Sequence, residues 1–267
     1  MEVKLNNNPI NTCILQIKYS PLLVIESKLA ILQDKFRKTG YPNYLEIEKT
    51  SIKLNEENKE QNTEKEKNWV FYNKDDKNNL EFIILNNRQL TYQVNYYSSF
   101  ETFLSKYKTI LDIFSHLVDL TKGTLIERIG LRYVNSFEGI DSSKRNLKQQ
   151  YQGIDLSHSI TPLDTLLINS SIRGPIKIGE NDISNLLLRI YQNDMGIKTP
   201  MNVFSLEKNI PKPNNIITFL DIDQIIHFID LQLKDLNLIY DYTKELNNNA
   251  SKIFFNAITK DAIEAFK

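Results

Sequence analysis

The chain has 267 residues, and its 33 basic and 33 acidic side chains cancel to a formal charge of zero. That balance excludes a polycation built to track a nucleic-acid backbone or an anionic membrane; 41% apolar and 25% charged residues is ordinary globular composition. The single cysteine, Cys13, excludes an intrachain disulfide and any multi-thiol metal cluster within one chain.

The opening MEVKLNNNPI has no basic segment followed by a long apolar run, so no signal peptide is expected. No apolar run reaches the roughly 18–20 residues that span a bilayer, and the chain reads as soluble and cytoplasmic, with no membrane partner. Pro9 to Tyr19 alternates in polarity and predicts a strand that buries Cys13 as a structural thiol. Ser20 and Pro21 predict a helix start, with Ser20 as N-cap and proline in the first turn. Leu22, Ile25, Leu29, Leu32 and Phe36 form its apolar stripe, and Gly40 ends it. Tyr44 to Leu54 reads as a second strand. Asn55 to Lys67, NEENKEQNTEKEK, has no apolar residue and reads as a solvated loop or a disordered hairpin tip.

Trp69–Tyr72, Leu80–Leu85 and Gln89–Tyr96 then predict three strands whose short links make an antiparallel meander. Ser98 or Ser99 caps the clearest helix, with Glu101 in its first turn. Its stripe is Phe100, Phe103, Leu104, Tyr107, Leu111, Phe114 and Val118, and Gly123 stops it. Leu125–Phe137 follows as a strand. Residues 141–159 are polar, helical in part around Lys144–Tyr151, and read as a connector with little core of its own.

Further strands are expected near Leu163–Ile172, Asn185–Tyr191, Asn202–Leu206 and Ile216–Ile222, with Arg173-Gly174-Pro175 as a turn. A long helix is expected from about Gln224 to Leu246, and a shorter one from Asn249 or Ser251. The expected fold class is therefore α+β: two antiparallel-sheet blocks, each with packed helices, closing in a C-terminal helical hairpin. The blocks fall at residues 1–139 and 163–267, joined by a connector at 140–162. A degenerate duplication is one reading of the pair, although no residue-level repeat is visible. The stretch Ile225–Tyr242, read as helix, is apolar on more than one face, so it is either deeply buried or meets a partner.

One stretch has the character of a signature, Glu127-Arg128-Ile129-Gly130-Leu131-Arg132-Tyr133-Val134-Asn135. On a strand, Arg128, Gly130 and Arg132 share a face, with Ile129, Leu131 and Tyr133 on the other. Two guanidiniums flanking a side-chain-free gap can grip a phosphate or carboxylate, which makes Arg128, Arg132, Tyr133 and Asn135 the candidate ligand-binding residues. Equally, both arginines can pair with internal carboxylates while Gly130 admits a close-packed aromatic ring. Leu220-Asp221-Ile222-Asp223 places two carboxylates at i and i+2, a candidate Mg²⁺ or Mn²⁺ pair. The competing reading makes Asp223 a helix N-cap and Asp221 a partner for Arg128 or Arg132.

RIGLRYVN at Arg128–Asn135, LDID at Leu220–Asp223, FFNAIT at Phe254–Thr259 and the Tyr41-Pro42 pair carry a family resemblance over nearly the whole length. The chain resembles a sporadically distributed bacterial and archaeal family with no settled activity. The resemblance implies an accessory protein carried with mobile or genome-defence (antiviral) loci, and assigns no catalytic residue.

His116, His158 and His227 are too scattered for a metal pair or a triad, and HExxH, G-x-S-x-G and the glycine-rich phosphate loops are missing from the sequence. Tyr92, Tyr96 and Tyr97, near Arg88, offer stacking platforms for single strands if they lie exposed on the meander. The sequence is read first as a non-enzymatic interaction protein, binding a protein partner or a second copy through its C-terminal helices, with no cofactor. The second reading is a phosphate-ligand factor or enzyme using Arg128, Arg132, Asp221 and Asp223 with Mg²⁺ or Mn²⁺. The third is a nucleic-acid binder.

Overall fold

In the computed structural model, residues 8–55, 60–76, 79–138, 145–148, 151, 169–178, 182–193 and 217–267 are described. The strands are β1 (Ile10–Tyr19), β2 (Asn43–Asn55), β3 (Glu60–Lys74), β4 (Leu80–Asn86), β5 (Gln89–Val94), β6 (Leu125–Glu138), β7 (Asn169–Ile178), β8 (Asp182–Asn193) and β9 (Ile217–Gln232). The helices are α1 (Val24–Lys38), α2 (Phe100–Val118), α3 (Asn237–Ala257) and α4 (Lys260–Phe266). Among the described residues, nine strands hydrogen-bond into a large antiparallel sheet in the order β2-β3-β4-β5-β1-β6-β9-β8-β7. The fold is mixed α/β and closes in a C-terminal helix pair; no duplication emerges. Two compact units interleave along the chain. A meander unit takes Ile14–Ile129 and His227–Tyr240, and a C-terminal unit takes Met1–Cys13, Gly130–Ile226 and Asp241–Lys267.

The meander unit is built as its alternation predicts. Leu15, Ile17 and Tyr19 of β1 are fully buried, and β3, β4 and β5 pair in sequence. Onto this face α1 packs Ile25, Leu32 and Phe36, and α2 packs Phe103, Tyr107, Leu111 and Phe114. Ring pairs join the layers: Phe36 to Phe71 at 5.0 Å, Tyr19 to Phe114 at 5.7 Å and Tyr92 to Phe103 at 4.9 Å. Ser99 caps α2, accepting from the Thr102 N–H at 3.2 Å.

Three expectations fail in this unit. Ser20 does not cap α1. Its hydroxyl accepts from the Leu125 N–H, and the helix begins at Val24 behind Leu23 with no side-chain cap. Gly123 does not end α2; Asp119 does, in the left-handed conformation at φ 58°, and Gly123 sits in the turn beyond. The segment without apolar residues is strand over most of its length, pairing Asn55↔Glu60 through Glu48↔Lys67. A ladder satisfies backbone groups without burying side chains, and Lys65–Glu48 and Lys67–Glu46 ion pairs line its exposed surface. Residues 56–59 of that segment lie outside the described set.

The C-terminal half of the chain departs further from expectation. β9 continues through Gln232, so Gln224 does not open a helix and Asp223 is no N-cap; it stands across from Leu187 in the β8–β9 ladder. The isoleucines of this stretch are β-branched and suit a pleated surface. The helix begins at Asn237 and runs through Asn247–Asn249 without a break. Its buried stripe is a single one, at Ile239, Thr243, Leu246, Ala250, Phe254 and Ala257, since the apolar residues before Leu233 belong to β9. Arg173-Gly174-Pro175 lies inside β7, opposite Leu187, Leu186 and Asn185, and not in a turn. Among the described residues β7 ends the hydrogen-bonded order, and a proline is tolerated where one edge needs no N–H.

Of the connector, Leu147 is fully buried and bridges to Ile258, and the Lys148 N–H donates to the Ala257 carbonyl. Its remainder beyond Tyr151, the expected strand at Asn202–Leu206 and the start of that at Leu163–Ile172 lie outside the described residues.

Candidate functional site

The signature strand β6 puts its two arginines to different uses. Arg128, in the meander unit, donates through Nη2 to Gln16 Oε1, and Gln16 Nε2 in turn donates to Thr91 Oγ1 at 3.0 Å. Arg132, in the C-terminal unit, meets Asp221 in a two-point contact: Nε to Oδ1 and Nη2 to Oδ2, both 2.8 Å. Arg189 approaches the same carboxylate from β8, with Nη2 2.6 Å from Oδ2. It stands directly opposite Asp221 in the ladder, where same-face side chains are neighbours. Asp221 is 0% exposed, Arg132 12% and Arg189 33%.

This geometry makes a buried ionic cluster. Burial works against the Arg132 charge, but its hydrogen bonds to Asp221, and the negative charges of Asp221 and Asp223, outweigh it and raise its pKa. Burial holds the Tyr191 hydroxyl protonated and Asp221 reinforces it, with Arg132 and Arg189 opposing. Two guanidiniums and two aspartates balance, and removing one member of such a set leaves a buried charge without compensation. Among the described residues, no group of three metal-ligating side chains converges, and Asp221 and Asp223 are not joined by a third acid or histidine.

The other expected ligand residues turn away from this cluster. Tyr133, on the opposite face of β6, donates its hydroxyl to Asn247 Oδ1 at 2.8 Å, and Asn135 Nδ2 donates to the Leu220 carbonyl at 2.9 Å. A Cβ at Gly130 would meet the Ile225 side chain at 3.5 Å and the Gln224 carbonyl at 3.6 Å, and no ring. Cys13 is buried, and burial raises its thiol pKa well above the ordinary value, as for an inert structural thiol. His116 and His227 are exposed, and His158 lies outside the described residues.

A second constellation lies in the meander unit, around a cavity of about 460 Å³ where the β4–β5 hairpin meets the start of α2. Glu81 on β4 is its polar centre. Its Oε2 accepts from the hydroxyls of Tyr41 and Tyr92, each at 3.1 Å, and its Oε1 pairs with Lys106 of α2. Burial, and then the Glu81 charge, push the Tyr41 hydroxyl pKa well up; Tyr92 is raised by burial, Tyr41 and Glu81. Tyr92 stacks on Phe103, Tyr97 tilts against Phe103 at 6.1 Å, and Tyr96 stands 63% exposed at the rim. Of the three tyrosines read as stacking platforms, Tyr92 and Tyr97 are buried and only Tyr96 is open to solvent.

Sequence reasoning missed Glu81 and Arg189. Each is a charge flanked by apolar residues within a strand, which is the signal that marks it, but the register that supplies its partners is not written locally. The class these features define is a mixed α/β protein with a large antiparallel sheet and a C-terminal helix pair. No family model, curated protein or solved structure matches the chain. No helix among the described residues is long and apolar enough to cross a membrane.

Proposed function

We propose that this is a non-catalytic accessory protein that acts by binding a protein partner encoded beside it. The observation that carries the reading is the outer face of α1. Leu23, at its N-cap, is 80% exposed, and Val24 and Ile31 are exposed as well. Ser27 and Ala30, also exposed, add no charge between them. Glu26, Asp34, Arg37 and Lys38 border this patch, while Ile25, Leu32 and Phe36 hold the helix to its sheet. An uncharged centre inside a charged rim is the anatomy of a protein–protein contact.

Two further points support a binding role. The guanidinium that suggested a phosphate ligand is engaged by Asp221. The C-terminal helix pair keeps Phe255, Ile263 and Phe266 half-buried, a second surface for a partner or another copy. The family resemblance read from the sequence implies that such a partner is encoded in mobile-element or genome-defence loci.

Co-expression with the products of neighbouring genes, followed by size-exclusion chromatography, tests the proposal. A stoichiometric complex is expected, and the double variant Leu23→Ser, Ile31→Ser abolishes it while leaving Tm within about 2 °C, as exposed substitutions do. A complex untouched by the double variant overturns the reading. So does a Mn²⁺- or nucleotide-dependent rise in Tm that Asp221→Asn removes.

A further inference from the structure

We propose that α3 and the strands beneath it hold a hard metal cation of the Ca²⁺ class, bound by Ser184, Gln224 and Glu245. The oxygens Ser184 Oγ, Gln224 Oε1 and Glu245 Oε2 are buried and meet no hydrogen-bond partner among the described residues. Ser184 and Gln224 are 0% exposed, where an unpaired oxygen is costly unless something fills the gap. The register brings the three to one stretch of the C-terminal unit. Gln224 stands opposite Leu186 in the β8–β9 ladder, and Ser184 lies two residues along β8 on the same face. That face is the one opposite Asp221, so the site is separate from the ionic cluster. Two contacts seat α3 on it: Gln224 Nε2 donates to the Leu246 carbonyl at 3.1 Å, and Asn249 Nδ2 donates to the Lys177 carbonyl at 3.3 Å. Lys177 adjoins Ile176, which stands opposite Ser184 in the β7–β8 ladder. Glu245 precedes Leu246 and shares a helix flank with Asn249 one turn later, so its buried oxygen belongs to this same interface.

The donor set selects the ligand. One carboxylate, one amide and one hydroxyl are all hard oxygens, which suit Ca²⁺ and not the nitrogen- and sulfur-seeking transition metals. The Gln224 amide is oriented for the role, since its nitrogen is committed to Leu246 and its oxygen is the free prong. A bridging water also joins such oxygens, but it leaves the Glu245 charge unopposed. Lys244 beside it is held by Asp241 at 3.0 Å, and among the described residues no ammonium or guanidinium meets the buried Glu245 oxygen. Glu245 is half-buried, so a cation reaches the site from solvent along this carboxylate, and water completes the coordination that the protein leaves open. A single carboxylate places the affinity near the weak end of the Ca²⁺ range, at about 10⁻⁴–10⁻³ M.

Titration of the full-length protein with CaCl₂ at constant ionic strength, followed by amide chemical shifts, tests the site. Saturable shifts centred on Ser184, Gln224 and Glu245 are expected, with a rise in Tm at saturation. Glu245→Gln keeps the shape, removes the sole charge and weakens binding at least about tenfold. Ser184→Ala removes an uncharged ligand and gives a smaller loss. Mg²⁺, which gives up its waters reluctantly, binds more weakly than Ca²⁺, and choline chloride gives no saturable shift. A spectrum without saturable shifts up to about 10 mM Ca²⁺, tenfold above the expected range, overturns the proposal, and is the result if water alone bridges these oxygens. Shifts centred elsewhere in the chain, tighter binding of Mg²⁺, or Ca²⁺ binding unchanged in Glu245→Gln also overturn it. The shift map of the parent protein decides the matter even where a variant fails to fold.

Discussion

Asp221 and Glu81 each receive three donors, yet the two regions differ in kind. In the C-terminal unit Asp221 is held by two guanidiniums and is 0% exposed; its charge is matched by cations and its surroundings are closed. In the meander unit Glu81 is held by two phenols and one ammonium, and part of it faces an open cavity. Cationic donors cancel a carboxylate, whereas phenolic donors position it and leave its field intact. The two acids therefore differ in the charge of their donors, two guanidiniums at Asp221 against one ammonium and two phenols at Glu81, and not in the number of donors.

Substitutions that change one region and not the other sharpen this contrast. The largest effect belongs to the closed cluster. Asp221→Ala strands two arginines and is expected to cost about 3–5 kcal/mol, a fall in Tm on the order of 10 °C, read by urea and thermal unfolding. An alkaline titration tests the phenols. Tyr19, Tyr41, Tyr92 and Tyr107 all have raised pKa values, with burial the leading cause.

A raised folded-state pKa stabilises fully below the unfolded value of about 10 and loses that contribution as pH rises beyond it, by about 1.4 kcal/mol per pH unit for each tyrosine. Tyrosinate absorbance of this group should therefore appear together with loss of near-UV circular dichroism, and ionisation in a still-folded protein would contradict it. The smallest effect concerns the edge of the cavity. Ser99→Ala removes the α2 cap and should cost about 1 kcal/mol in chemical denaturation, while Ser99→Asp retains it.

Much of the meander unit was legible in the sequence because local pattern and tertiary role agree there. The α2 stripe from Phe103 to Val118 repeats at helical spacing, Ser99 is a capping residue before it, and β3 to β5 are separated by turn formers. The part of β9 from Gln224 onward was not, because Ile225, Ile226 and Ile229 fit helical steps as well as a pleat. Sheet pairing with β8 decides the matter, and that pairing is set far away in sequence. Ile229 shows the cost of the helical reading. Counted as part of an apolar helix face, it stands 95% exposed on the strand. Residues Glu60–Lys67 escaped for the opposite reason, since a ribbon held by its backbone ladder needs no apolar signal. At the site, Arg132 and Asp221 could be named as partners from chemistry alone, but Arg189 enters only through register.

Whether Arg132 and Asp221 form an internal pair and not half of a ligand or metal site is measured most directly by a double-mutant cycle. With Arg132→Met, Asp221→Leu and the double variant, urea unfolding should give two large single losses and a double loss smaller than their sum by on the order of 2 kcal/mol. Additive losses, or an Asp221→Leu protein as stable as the parent, would contradict it.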